Sequence, residues 1–181
     1  MRILALILIS SLCWAETYQS LRATAFSEHE DMNVRWKALV KMVEMKKSGS
    51  RSELKKALKS KVWYMRNVAL LALDSFDQDA AFDAAKEQLD DPALVVRSAA
   101  VEILAKNKKR SDEARELLWK ELHDRQNKVQ NRSLWIREQI AKHLSIDPKK
   151  EERQKFLKLV EETEDPLRNQ AQVALLKLQS Q

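Results

Sequence analysis

One pattern returns five times along this 181-residue chain and leaves little choice of fold. It reads DMNVRWKALVKM at 31–42, KVWYMRNVALLAL at 61–73, DPALVVRSAAVEIL at 91–104, NRSLWIREQIAKHL at 131–144 and EDPLRNQAQVALLKL at 164–178. Aligned on Arg35, Arg66, Arg97, Arg137 and Arg168, the copies lie 31, 31, 40 and 31 residues apart. The residue before each arginine is apolar: Val34, Met65, Val96, Ile136, Leu167. Three residues after it come Ala38, Ala69, Ala100, Ile140 and Ala171, and seven after it Met42, Leu73, Leu104, Leu144 and Leu175. Offsets of −1, +3 and +7 fall on one side of an α-helix. The small middle residue lets a neighbouring helix come close.

A second amphipathic stretch precedes each of the last four copies: SELKKAL, AAFDAAKEQL, EARELLWKEL and EERQKFLKLV, closing on Leu58, Leu89, Leu122 and Val160. Leu21 and Phe26 supply the corresponding helix of the first copy. Neither helix of such a pair buries its apolar side alone, so neighbouring pairs must stack. The expected fold is all-α: a right-handed superhelical solenoid of about five antiparallel helix pairs, the first partly formed and the last acting as a cap. One glycine and three prolines agree, since a mainly β chain needs many more turn residues. Gly49 reads as the terminator of the helix ending near Lys47, and Pro92, Pro148 and Pro166 fall near helix starts. Seven of the nine extra residues in the 40-residue spacing lie in 123–136, which reads as an enlarged polar loop or a lengthened helix.

The chain begins with Met1-Arg2, the run ILALILISSL and then Cys13-Trp14-Ala15, the layout of a secretory signal peptide over residues 1–15 ahead of a repeat domain over 16–181. The competing reading is a buried first helix. The run is too short to span a membrane, which takes about 20 apolar residues. Lipidation of Cys13 is disfavoured by the bulk of Leu12 before it. Cleavage would remove the only cysteine, leaving an exported protein without disulfides and held by its apolar core. In a bacterium the periplasm is the expected compartment.

Chemistry-bearing motifs are sparse. His29, His123 and His143 form no HExxH and meet no cysteine pair, and no GxSxG, SxxK or glycine-rich phosphate loop appears after the leader. We therefore expect no catalytic, cofactor or metal residues. The net charge of +6 is moderate. The basic clusters Lys46-Lys47, Lys55-Lys56-Lys59-Lys61 and Lys106-Lys108-Lys109-Arg110 read as cations solvating helix ends, with phosphate groups or an anionic membrane surface as the other option.

Tryptophan is the more informative residue. Trp63 and Trp135 sit near the turns and read as caps between helix pairs; Trp119 belongs to an outer helix and is expected to pack against its neighbour. Trp36 follows the anchor arginine at an offset that is polar in every other copy, so it is either a contact anchor or covered by the N-terminal segment. Repeat scaffolds present their second helices side by side. The +1 column (Trp36, Asn67, Ser98, Glu138, Asn169) and the +5 column (Val40, Leu71, Glu102, Lys142, Val173) are the candidate partner-binding face.

Over residues 16–180 the pattern resembles the HEAT-repeat family, particularly its short bacterial form related to the phycobilisome-lyase type. The third copy carries the likeness best, with Asp91 in the turn, then Val96-Arg97, Ala100 and Leu104. The resemblance implies an aspartate–arginine ladder within and between repeats, which Asp91 and Arg97 match. Asp31 and Asp165 stand closer to their arginines, and the second and fourth copies lack the aspartate. The function expected is a non-catalytic protein- or peptide-binding scaffold or adaptor of the bacterial envelope, such as an inhibitor, immunity or assembly factor. The alternatives are a structural or self-associating envelope protein, an accessory factor in cofactor attachment suggested by the lyase relatives alone, and a basic-groove nucleic-acid binder like the HEAT-like DNA glycosylases.

Overall fold

The structure, a computed structural model, describes residues 17–129, 132–162 and 165–180. The leader expected over 1–15 lies outside them. The described chain is an all-α helical repeat. Its helices are α1 (residues 17–26), α2 (Met32–Lys46), α3 (Arg51–Leu58), α4 (Trp63–Asp74), α5 (Gln78–Gln88), α6 (Leu94–Lys106), α7 (Ser111–Leu122), α8 (Trp135–Ile146), α9 (Arg153–Glu162) and α10 (Asp165–Gln179). Each sequence copy is the second helix of a pair, and the first copy has its partner in α1.

Two compact units divide the chain, Met1–Ala84 and Ala85–Gln181, the boundary falling within α5. In the first unit α3 packs on α4, and the second helices α2 and α4 lie against each other. In the second, α7 packs on α8 and α9 on α10, while α6 touches α8 and α8 touches α10. The stripe drives this packing. Ala38, Met42, Met65, Ala69, Leu73, Val96, Ala100, Leu104, Ile136, Ile140, Leu144, Leu167 and Ala171 are all buried. Of the −1 column, Val34 alone is exposed.

The anchor arginines have a shared task that the spacing did not reveal. Arg35 Nε donates to the Ala25 carbonyl at 3.2 Å, Arg66 Nη1 to Ser60 at 2.8 Å and Arg97 Nη1 to Asp91 at 2.7 Å. Arg137 Nε donates to Leu122 at 2.7 Å and Arg168 Nε to Val160 at 3.2 Å. Every acceptor lies at or just past the end of the first helix of the pair. A helix C-terminus leaves its last carbonyls without intrahelical donors and carries partial negative charge. One guanidinium per copy meets both needs and closes the hairpin. Burial of Arg137 lowers its pKa.

Two local expectations are corrected. Gly49 does not terminate α2. The helix ends at Lys46, and the residue with positive φ is Lys47 (φ 39°), while Gly49 lies in a 3₁₀ turn over Lys47–Ser50. The chain reverses in the first residue after the helix, before the glycine is reached. The extra length after Leu122 is neither an open loop nor added helix. Asp124 accepts the Gln126 N–H and caps a 3₁₀ turn over Arg125–Asn127; Lys128–Val129 and Arg132–Ser133 then pair as antiparallel strands, Lys128 opposite Ser133. Asn127 is fully buried.

Close approach at the small stripe position is testable. Ala100 has no exposed surface. Ala100→Leu is expected to cost about 1–3 kcal/mol by overpacking, read as a lower midpoint in a urea melt. A melt that coincides with wild type would mean that this contact has room to spare.

Candidate interaction surface

None of the ten residues in the +1 and +5 columns is buried. In the first unit, Trp36 (46% exposed) and Val40 come from α2, Asn67 and Leu71 (48% exposed) from the adjoining α4. Residues 1–16 of the N-terminal segment, which the other reading sets over Trp36, lie outside the described residues. The Asn67 Oδ1 atom is buried and has no hydrogen-bond partner. In the second unit, Glu138, Lys142, Asn169 and Val173 are exposed on α8 and α10.

Ser98 and Glu102 of α6 are instead engaged with α8. The Ser98 hydroxyl donates to Gln139 Oε1 at 2.8 Å, and Gln139 Nε2 donates to the Ser98 carbonyl at 3.3 Å and to Glu102 Oε2 at 3.2 Å. His143 Nε2 lies 2.8 Å from the same Glu102 oxygen, and Lys106 Nζ 2.8 Å from the other. Burial disfavours the Glu102 carboxylate, but the hydrogen bonds from Lys106, His143 and Gln139 outweigh it and hold its pKa at about 2. Gln139 and His143 stand at offsets +2 and +6, so α6 meets α8 through its +1 and +5 positions. Sequence reasoning missed these partners, although a polar +2/+6 pair beside a polar +1/+5 pair was the available signal.

Arg97 makes the between-copy rung of the ladder, but not to an aspartate. Its Nε donates to Asn127 Oδ1 at 3.1 Å and its Nη2 to the Gln126 carbonyl at 3.3 Å. Asp91 contributes its backbone carbonyl to Arg97, and its Oδ1 accepts the Ala93 N–H at 2.8 Å. Asn127 Nδ2 donates to the Glu121 carbonyl at 3.1 Å and to Glu121 Oε1 at 2.7 Å. Asp90, Glu121 and Asp124 bring carboxylate oxygens within 4.8 Å of one another. Burial, helped by the charges of Asp124 and Asp90, raises the pKa of Glu121 against the hydrogen bonds it accepts from Asn127 and Gln126. Among the described residues this is the carboxylate group whose spacing suits a cation. Two amide side chains already occupy Glu121.

The tryptophans separate by environment. Trp119 is buried against Phe156, ring centroids 4.9 Å apart, as its outer-helix position implied. Trp63 and Trp135 are not caps: they are 45% and 50% exposed at the first residues of α4 and α8.

Two clefts of about 260 and 280 Å³ lie around Arg115 and Lys149. Arg115 is paired there with Glu152 and Lys149 with Asp112, and His143 lies against Glu102. Among the described residues no helix is long and apolar enough to cross a membrane. No curated protein matches the chain. Residues 19–105, from α1 to the last turn of α6, match the family model of HEAT repeats, and through this stretch and the helix pairs that form it the chain is similar to HEAT-repeat proteins.

Proposed function

We propose that the protein is a non-catalytic scaffold or adaptor of the bacterial cell envelope that binds a protein or peptide on the second-helix face of its first unit. HEAT repeats are commonly protein-interaction scaffolds. The observation that carries the reading here is the pair Trp36 and Leu71, two large apolar side chains left half-exposed on packed neighbouring helices. An aromatic anchor on a rigid face is the usual centre of binding energy. The export reading of residues 1–15 supports the envelope as the compartment.

Affinity capture from an envelope extract, with identification of the bound protein, supplies the partner for the test. The recovered chain should begin at Glu16 or within a few residues of it. Trp36→Ala and Leu71→Arg are each expected to weaken that partner by about thirtyfold, or about 2 kcal/mol, while keeping wild-type melts. Unchanged binding in both variants would remove this face from the account. Self-assembly in sedimentation with no captured partner would favour a structural role instead.

A further inference from the structure

The exposed face of α10 differs in kind from the other second helices of its unit. Charged residues make up 33% of the chain, yet between Asn169 and Ser180 the one charged residue is Lys177. Its ammonium donates to the Ser145 and Ile146 carbonyls at 2.8 and 2.9 Å, so it serves the end of α8. Gln170 meets α8 as well, its Oε1 accepting the Ser145 hydroxyl at 3.2 Å. Asn169, Val173, Leu176 and Ser180 are all exposed, Val173 by 42% and Leu176 by 65%. The steps between these four residues are four, three and four, the alternation that keeps one seam along two packed helices. At the +1 and +5 positions, where α10 carries Asn169 and Val173, α6 carries Ser98 and Glu102, both engaged with α8, and α8 carries exposed Glu138 and Lys142.

We propose that this seam pairs two copies of the chain, α10 against α10, antiparallel about a two-fold axis. The order polar, apolar, apolar, polar reads the same in both directions, so the seam is complementary to itself. A two-fold sets Val173 of each copy against Leu176 of the other, and Asn169 against Ser180. The Ser180 hydroxyl donates to the Lys177 carbonyl at 2.8 Å, and its oxygen can still accept from an amide. A charged segment or an anionic surface would gain from opposite charge, and this seam offers none. An uncharged helix with matching spacing is what it fits, and a second copy supplies one. A single pair of four-turn helices stays below the about 1,200 Å² at which stable interfaces begin, so the dimer is weak and reversible. The seam is distinct from Trp36 and Leu71 of the first unit, so this pairing and the scaffold reading fail independently.

The test is sedimentation equilibrium of the full chain, with reductant present, over a wide range of concentration. Wild type is expected to shift from monomer towards dimer as concentration rises. Val173→Glu and Leu176→Lys should each weaken association by about tenfold or more, because each sets a charge against an apolar side chain of the other copy. Melts of both variants should coincide with wild type, since both positions are exposed. The two-fold makes the new charges complementary: Val173→Glu/Leu176→Lys in one chain, or the two single variants mixed, should restore association. Trp36→Ala should leave it intact. A wild type that stays monomeric throughout overturns the proposal. Association that survives Leu176→Lys also overturns it, in favour of the apolar run 3–12 or another face. Failure of the oppositely charged pair to restore association would overturn the antiparallel pairing.

Discussion

Glu152→Ala is expected to destabilise the second unit by about 3–5 kcal/mol, the usual result of removing one partner from a buried ion pair. Glu152 closes the 3₁₀ turn over Lys150–Glu152 and is buried. Its carboxylate accepts from Arg115 through both Nε (2.9 Å) and Nη2, from Trp119 Nε1 at 2.7 Å and from the Lys149 N–H at 3.0 Å. Arg115 also reaches the Leu144 carbonyl at 3.1 Å, so this group ties α7, the end of α8 and the start of α9. Alanine would leave a guanidinium, an indole N–H and a backbone N–H without their acceptor. Burial opposes the charge of Glu152, yet the bonds from Arg115, Trp119 and the Lys149 backbone win, and the folded pKa lies below the ordinary 4.5. A depressed carboxylate pKa stabilises above the unfolded value and loses that contribution as pH falls through the folded one. Urea melts of wild type and Glu152→Gln should therefore differ most at neutral pH and converge in acid, below about pH 4. A difference that stays constant with pH would show that the carboxylate charge contributes nothing.

The helix pairs were legible because their signal is local. The stripe at −1, +3 and +7 needs only one helix to be read, and the pairs it implied appear at the expected places, down to α1 under Leu21 and Phe26. What escaped depends on which copy faces which. The anchor arginine recurs visibly, but its acceptor is a backbone carbonyl, which carries no side-chain signature. The pairing of Ser98 and Glu102 with Gln139 and His143 spans 37 to 41 residues and follows from how far one second helix is shifted along the next. The family ladder suggested Asp91 as the side-chain partner of Arg97, whereas Arg97 reaches Asn127, next to a hairpin that has no counterpart among the described residues of the other copies. Trp63 and Trp135 looked structural because large apolar residues near turns usually are covered. Both are about half-exposed in the folded chain, which depends on what packs against the turn and not on the local sequence.

The same hairpin yields the second large effect. Asn127→Ala is expected to cost about 2–3 kcal/mol, although a polar residue in an irregular segment would ordinarily be dispensable. Asn127 is wholly buried between two buried charges of opposite sign, accepting from Arg97 and donating to Glu121. Alanine removes the acceptor of Arg97 Nε, and the Glu121 carboxylate, already unfavourable through burial and the nearby Asp124 and Asp90, would lose its shortest hydrogen bond. Asn127→Asp separates this account from simple loss of volume. It keeps the shape and the acceptor for Arg97 but sets a second carboxylate against Glu121 where an N–H stood, at a separation of 2.7 Å in the native pair. Two carboxylates that close must share a proton, so at least one folded-state pKa rises above its unfolded value. The sign of the pH dependence is then opposite to that of Glu152: the variant should be least stable at neutral pH and recover as pH falls and the shared proton binds. Denaturant melts of Asn127→Ala and Asn127→Asp at neutral and mildly acidic pH carry the comparison. If the aspartate variant matches wild type at neutral pH, Arg97 alone governs the position and the bond to Glu121 is incidental; if it fails to recover in acid, the crowding of carboxylates around Glu121 is not what makes Asn127 necessary.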